Sequence, residues 1–243
     1  MKYFLVLVLC LFISCNAFAS EEPYLLQLVN SENTLQKDFI PKNLVDYKGV
    51  KLSGFAKDAF IQMIKAMESD GLSRLKLQSA YRSYAHQKSI FDQRVKELLA
   101  KGLDNEHAIE KASESIQKPG SSEHQLGLAL DVSINGKLSQ EFAGTTEGLW
   151  LEENCHKFGF IIRYPQTKTN ITHIIYEPWH LRFVGIPHAS IMKEQMITLE
   201  EYWEFLKGIY KYIFWVSDFE YYLVSIEKSA ADEWSINSRF VKR

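Results

Sequence analysis

Cysteine is the first scarcity. The 243-residue chain has three, and two of them, Cys10 and Cys15, fall near the start, leaving Cys155 alone in the rest. A single thiol cannot close an internal disulfide, so an apolar core must hold the fold, with a metal as the other available staple. Cys155 itself, on an expected helix, reads as a small buried hydrophobe. An excess of one charge is also missing. Lys and Arg number 28 against 30 Asp and Glu, a formal −2, which excludes the basic footprint of a nucleic-acid binder and a polyacidic tail. No apolar run in the body of the chain approaches the roughly 20 residues of a membrane helix, so no transmembrane span is expected in the mature chain. Internal repeats and low-complexity segments are absent as well. What remains is enough for one ordinary core: 46% of residues are hydrophobic and 13% aromatic.

The first twenty residues are of a different kind. Lys2 is followed by ten apolar residues, Phe4 to Ile13, and then by Ala17-Phe18-Ala19. A positive start, a short apolar stretch and an A-x-A site make a secretory signal peptide over 1–19, which predicts export to a periplasm or an extracellular envelope. A competing reading takes "LFISC" as a lipobox that anchors the chain by a lipid on Cys15, although Phe12 stands where such boxes usually carry leucine.

Residues 20–50 are polar and weakly periodic, an N-terminal arm. From 51 to about 207 the pattern is that of a folded domain. Phe55, Ala59, Phe60, Met63, Ile64 and Met67 have helical spacing, with Gly71 as a stop. "LKLQSAY" (75–81) reads as a strand, Ile90 to Leu99 as a second helix, and Asp104 as the cap of a third reaching about Ile116. Pro119-Gly120-Ser121-Ser122 is a turn before the apolar strand "LGLALDV". "FGFIIRYP" and "ITHIIYEPWHLRFVG" read as strands joined by a hairpin-like "QTKTN", with His173 facing solvent. Thr198 to Glu201 fits a capping box. An aromatic extension, 208–243, follows, predicting further strands or a docking helix. The class is α+β, helices against a small, mostly antiparallel sheet.

Three segments hold polar residues that neither helical nor strand periodicity explains: "SAYRSYAHQ" (79–87), "SSEHQLGLALD" (121–131) and "YEPWHLR" (176–182). Asp131 ends an apolar strand, and a buried carboxylate is costly unless it is paired or metal-bound. His124, Asp131 and His180 are a sufficient ligand set for one catalytic Zn²⁺ with a position left for water, and imidazole favours zinc over magnesium or calcium. Gly127 and Ala129 leave room for close packing beside them. Glu177 suits a general base, taking the proton of a zinc-bound water whose pKa falls to roughly 7 and passing it to a leaving amine. Pro178 would hold Glu177 and His180 in a fixed relation. Glu177 as a fourth ligand is the alternative, disfavoured because it would close the site to water. Arg82 offers a fork of donors for a substrate carboxylate or a developing oxyanion. Of the other histidines, His86 reads as surface or neighbouring support, and His107, His156 and His188 as solvated or packed. Trp179 reads chiefly as a loop anchor.

Tyr81-Arg82-Ser83 with Gln87, Ser122-x-His124-x-x-Gly127-x-Ala129-x-Asp131, and "IIRYPQTKTNITHIIYEPWHLRFVG" together resemble the zinc D-alanyl-D-alanine carboxypeptidases of the VanY type, over about residues 50–207. The resemblance implies the hedgehog-like zinc D,D-peptidase fold. It implies His124, Asp131 and His180 as ligands, Glu177 as base and Arg82 as the group that stabilises substrate or transition state. Ser122, Gln87 and Tyr81 would line the substrate cleft. The substrate implied is a peptidoglycan stem peptide losing its C-terminal D-alanine. Competing readings keep the zinc and change the cut, to an L,D-carboxypeptidase or a D,D-dipeptidase or endopeptidase. Another keeps the fold without catalysis, as a wall-binding protein. The 208–243 extension is not required by the family pattern.

Overall fold

The computed structural model describes residues 24–207, 211–217, 220–228 and 234–242. The expected leader and Cys15 lie outside the described residues. The chain divides into two units, one of residues 23–210 and one that includes 211–243.

The larger unit opens with the hairpin of β1 (Leu44–Tyr47) and β2 (Val50–Ser53), turned by Lys48 and Gly49, both at positive φ as a tight two-residue turn requires. Helix α1 (Gly54–Ser69) follows at once and turns Ala56, Phe60, Met63 and Met67 inward. The sheet beneath it is built from β3 (Lys76–Ser79), β4 (Ala129–Ser133), β5 (Phe160–Ile162) and β6 (His180–Phe183). Its order is β3-β4-β6-β5, every pair antiparallel.

Register explains what the two faces of this sheet do. Leu130 pairs with Leu181, and both join Leu128, Val132, Phe60, Met63, Met67 and Phe160 in one apolar core. Side chains alternate along a strand, so the opposite face carries Ala129 paired with Arg182, and Asp131 paired with His180. One face thus supplies the burial that holds the fold, about 1.5–3 kcal/mol for each large apolar side chain enclosed. The other face is free to carry charge.

The remaining helices frame that sheet. α2 (Tyr84–Ala100) and α3 (Asn105–Ser113) pack together through Phe91, Leu98, Ala108 and Ala112, capped by Ser83 and Asp104, whose side chains accept from the His86 and His107 amides. α4 (Thr146–Asn154) runs into a short 3₁₀ turn, Cys155–Phe158, closed by Gly159 at φ +82. α5 (Thr169–Thr172), α6 (Ile186–Gln195) and α7 (Leu199–Lys207) complete the unit. The capping box is present at α7: the Thr198 amide donates to Glu201 Oε2 at 2.8 Å and the Glu201 amide to Thr198 Oγ1 at 3.2 Å.

Two stretches differ from the sequence reading. "QTKTN" forms helical turns, Gln166–Lys168 and then α5, because its polar residues alternate with nothing a sheet could bury. His173 ends α5 in the left-handed region at φ 59, exposed in a turn and not in a strand. β6 is only four residues long, since the chain turns through Glu177-Pro178 immediately before it.

The second unit, described by itself, is a three-stranded antiparallel meander of β7 (Lys211–Ser217), β8 (Glu220–Lys228) and β9 (Trp234–Lys242). Among the described residues, no helix is long and apolar enough to cross a membrane.

Candidate metal centre

Asp131 lies in the second strand of the sheet, between β3 and β6, opposite Ser79 on one side and His180 on the other. Directly paired residues on one face have Cβ atoms about 4.5–5.5 Å apart, so strand pairing alone brings Asp131 to His180. His124 arrives separately, from a 3₁₀ turn (Glu123–Leu126) that Gly127 ends in the left-handed region at φ +70. A Cβ on Gly127 would lie 2.8 Å from Leu44 Cδ2 and 3.2 Å from the Ser53 amide nitrogen, so the turn needs glycine for both conformation and space. The Arg82 amide donates to the His124 carbonyl at 3.1 Å, tying the turn to the segment after β3.

His124, Asp131 and His180 are all buried, and one donor atom from each lies within 4.8 Å of the other two. The imidazole of His124 donates from Nδ1 to the Ala80 carbonyl at 2.5 Å. That fixes its tautomer and turns the Nε2 lone pair toward Asp131 Oδ2, 3.3 Å away. His180 presents the other edge, Nδ1, 3.1 Å from Asp131 Oδ1. Donors that share a tetrahedral zinc at about 2.0–2.2 Å are separated by roughly 3.3–3.6 Å, which these pairs approach. Two imidazoles and a carboxylate are zinc chemistry, so the residues fit that ion.

Burial and neighbouring charges set the protonation of these groups against one another. Burial would raise the Asp131 carboxyl, yet His124 and His180 hold it well below the usual range. Burial and the Arg82 charge push His124 down to about 4. Burial disfavours protonated His180, but the carboxylates of Asp131 and Glu123 outweigh that and push it up to about 9. The positive group now nearest is Arg82, whose Nη2 is 2.7 Å from His124 Nε2 and donates to Asp131 Oδ2. Its Nε donates to Ser79 Oγ at 3.0 Å and its Nη1 to Gln87 Oε1 at 3.2 Å.

Glu177 sits just before β6, buried, with Oε2 3.7 Å from His180 Nδ1. Burial pushes its carboxyl up to about 7, opposed by His180 and Arg82 and assisted by Asp131. Its amide donates to the Tyr164 carbonyl at 3.1 Å, and the His180 amide donates to the Glu177 carbonyl at 3.1 Å. The turn that Pro178 stiffens therefore spaces Glu177 and His180.

Gln87 is buried, with Nε2 donating to the Gln117 carbonyl at 2.6 Å, and its contact with the site is through Arg82. Ser122 is buried immediately before the 3₁₀ turn. Tyr81 is half-buried, which raises its phenol, and its amide donates to the Lys51 carbonyl at 2.8 Å. Trp179 packs against the main core. His86 is exposed on α2, His107 bonds Asp104, and His188 is buried and pushed down to about 3. Cys155 is buried, its thiol pushed up to about 12 by burial, as an inert packing residue should be.

Sequence reasoning missed a second cluster behind His180. Glu123, Arg163 and Arg182 are fully enclosed there. Arg163 Nε donates to Glu123 Oε1 at 2.7 Å, and Arg182 Nη1 is ion-paired to the same oxygen at 2.8 Å. Tyr164 lies against the His180 ring, centroids 4.9 Å apart. The signal was available: both arginines interrupt apolar strand residues, as Asp131 does.

Residues 49–186 match the VanY family, D-alanyl-D-alanine carboxypeptidase. A D-alanyl-D-alanine carboxypeptidase of Enterococcus faecalis is 38% identical over 186 residues, covering 75% of this chain and 66% of that protein. A solved VanY D,D-pentapeptidase from a VanB-type vancomycin resistance cassette, in complex with Zn(II), matches at TM-score 0.66 and 36% identity, over 74% of this chain and 99% of that one. The LdcB LD-carboxypeptidase matches at TM-score 0.65 and 38% identity, over 73% and 84%.

Proposed function

Because this chain belongs to the VanY family of D-alanyl-D-alanine carboxypeptidases, we propose that it is an exported zinc carboxypeptidase that removes the C-terminal D-alanine of peptidoglycan stem peptides. The observation that supports this reading best is the meeting of His124, Asp131 and His180 donors within 4.8 Å, with the Glu177 carboxylate 3.7 Å from His180 Nδ1.

His124 through Nε2, Asp131 through its carboxylate and His180 through Nδ1 would hold the ion. When bound, zinc supplies a Lewis acid that polarises the scissile carbonyl and lowers the pKa of water. Glu177 takes one proton from the attacking water as the new C–O bond forms, then gives a proton to the amine nitrogen as the C–N bond breaks. Its burial beside His180 suits a base that must ionise near neutral pH. Arg82, oriented by Ser79 and Gln87, stabilises negative charge on the carbonyl oxygen or the free substrate carboxylate. Tyr81 and Ser122 complete the cleft wall, and Gln87 acts by fixing Arg82. The products are free D-alanine and a stem shortened by one residue. Residues 1–19 deliver the chain to the envelope, where this polymer lies. Lipidation at Cys15 is the variant of that route.

A second cut is supported by the likeness to LdcB, which is as strong as that to the zinc-bound VanY. L,D-cleavage of tetrapeptide stems would use the same zinc machinery, and a D,D-dipeptidase or endopeptidase would differ only in the depth of the cleft. Defined penta- and tetrapeptide stems, digested with and without chelator and analysed by product mass, separate them. Release of one D-alanine from the pentapeptide, lost with chelator, is the expected result. Release only from the tetrapeptide would replace D,D- by L,D-specificity, and chelator-resistant or absent hydrolysis of every stem would remove the reading.

A further inference from the structure

His180 belongs to two buried polar clusters at once. Its Nδ1 edge faces Asp131 and Glu177, while its Nε2 edge faces Glu123, with Oε2 at 3.9 Å. Both His180 Nε2 and Glu123 Oε2 are buried without a hydrogen-bond partner. Buried polar atoms in that position need an explanation; Arg182 Nη1, which also lacks a hydrogen bond, lies against Glu123 Oε1, which leaves Oε2 to His180 Nε2.

Glu123 cannot turn away. Its Oε1 is held by Arg163 Nε at 2.7 Å and lies 2.8 Å from Arg182 Nη1. Arg163 is in turn fixed to Glu200 by bonds of 2.9 and 2.5 Å. Arg182 donates from Nη2 to the carbonyls of Leu25 and Gln27, at 2.9 and 3.0 Å. The network thus leaves one carboxylate oxygen aimed at the ring edge that the reaction does not use. A neutral imidazole that gives Nδ1 to a metal must carry its proton on Nε2 and needs an acceptor there. His124 meets the same need, from its other nitrogen, with the Ala80 carbonyl.

We propose that Glu123 is a positioning residue of the metal centre: its Oε2 accepts the Nε2–H of His180 and holds the ring with Nδ1 toward the ion. The separation of 3.9 Å exceeds a hydrogen bond, so the proposal requires the pair to draw together when the ion is bound. An anionic acceptor also makes the imidazole a more basic ligand than the neutral carbonyl behind His124 does. This inference rests on reading His180 as a zinc ligand.

The test compares zinc affinity, by chelator competition, and the visible absorption of the Co(II)-substituted protein across three variants. Glu123→Gln removes the charge, Glu123→Asp withdraws the oxygen by one methylene, and Glu200→Gln disturbs Arg163 without touching His180. The first two should bind zinc roughly 10–100-fold more weakly, the usual cost of losing such a partner, with an altered cobalt spectrum. Glu200→Gln, which reaches Glu123 only through Arg163, should weaken zinc binding less than either Glu123 variant. A folded Glu123→Gln with undiminished affinity and an unchanged spectrum overturns the proposal. Should the Glu123 variants fail to fold, nitrogen NMR of the zinc-loaded wild type decides. His180 must show a protonated, exchange-protected Nε2 and a metal-bound Nδ1, and the reverse assignment overturns the proposal. Zinc affinity surviving in His180→Ala would instead remove the ligand reading itself.

Discussion

The two polar clusters on either side of the His180 ring are both buried and differently completed. Behind the ring, Glu123 is matched by two guanidiniums, and those guanidiniums end on Glu200 and on backbone carbonyls of the N-terminal arm. That cluster neutralises itself with side chains and ties β5, β6, α7 and the arm into one body. In front of the ring, His124, Asp131, His180 and Glu177 bring two carboxylates and two imidazoles together, with the single guanidinium of Arg82 beside them. Apart from the Glu123 oxygen that faces His180, charge in the rear is paired within the fold; the donors in front converge in a way that could hold an ion. The difference teaches that burial of charge does not by itself mark a reactive site. What marks it is donors converging with their lone pairs toward a common point.

The comparison breaks if the two clusters respond alike to mutation. The largest effect is expected from the ion itself. A strong chelator, or His124→Ala, should abolish turnover measured by D-alanine release, and added Zn²⁺ should restore the chelated wild type but not the variant. Glu177→Ala comes next, lowering kcat by about 10²–10⁴-fold while metal analysis still finds zinc bound. Loss of zinc together with activity would make Glu177 a ligand.

The rear cluster should fail in stability. Arg163→Met strands Glu123 with one cation fewer, at a cost of about 3–5 kcal/mol in denaturant unfolding, whereas activity per folded molecule should fall far less than in Glu177→Ala. A stable but inactive Arg163→Met would erase the distinction between the clusters. The smallest effect tests where they join, on the turn that carries Glu123 and His124 side by side. Gly127→Ala must adopt φ +70 and push against Leu44 and the Ser53 amide, so a loss of about 1–3 kcal/mol is expected in thermal unfolding.

The front cluster was legible in the sequence because its residues violate periodicity: an aspartate closing "GLALD", and a Glu-Pro-x-His turn where a strand was starting. The face of the sheet that carries them was implied by alternation, since Leu130 and Asp131 cannot both point into the core. The rear cluster was harder to read. Arg163 and Arg182 break apolar strands in the same way, but a sequence does not say which carboxylate meets a buried arginine 40 residues distant, as Glu123 meets Arg163. Gln87 was legible only as a motif position; its hydrogen bonds to Arg82 and to the Gln117 carbonyl come from the fold. The "QTKTN" connection reads as hairpin-like in the sequence; β5 and β6 do pair antiparallel, but helical turns join them, because polar residues mark a connection without fixing its length or shape.

Zinc-edge anomalous diffraction from crystals of the zinc-loaded protein addresses the metal centre most directly. A single peak should lie about 2.0–2.2 Å from His124 Nε2, an Asp131 oxygen and His180 Nδ1, with Glu177 near it but outside bonding distance. A peak elsewhere on the protein, or one bound by fewer than those three side chains, would contradict the account.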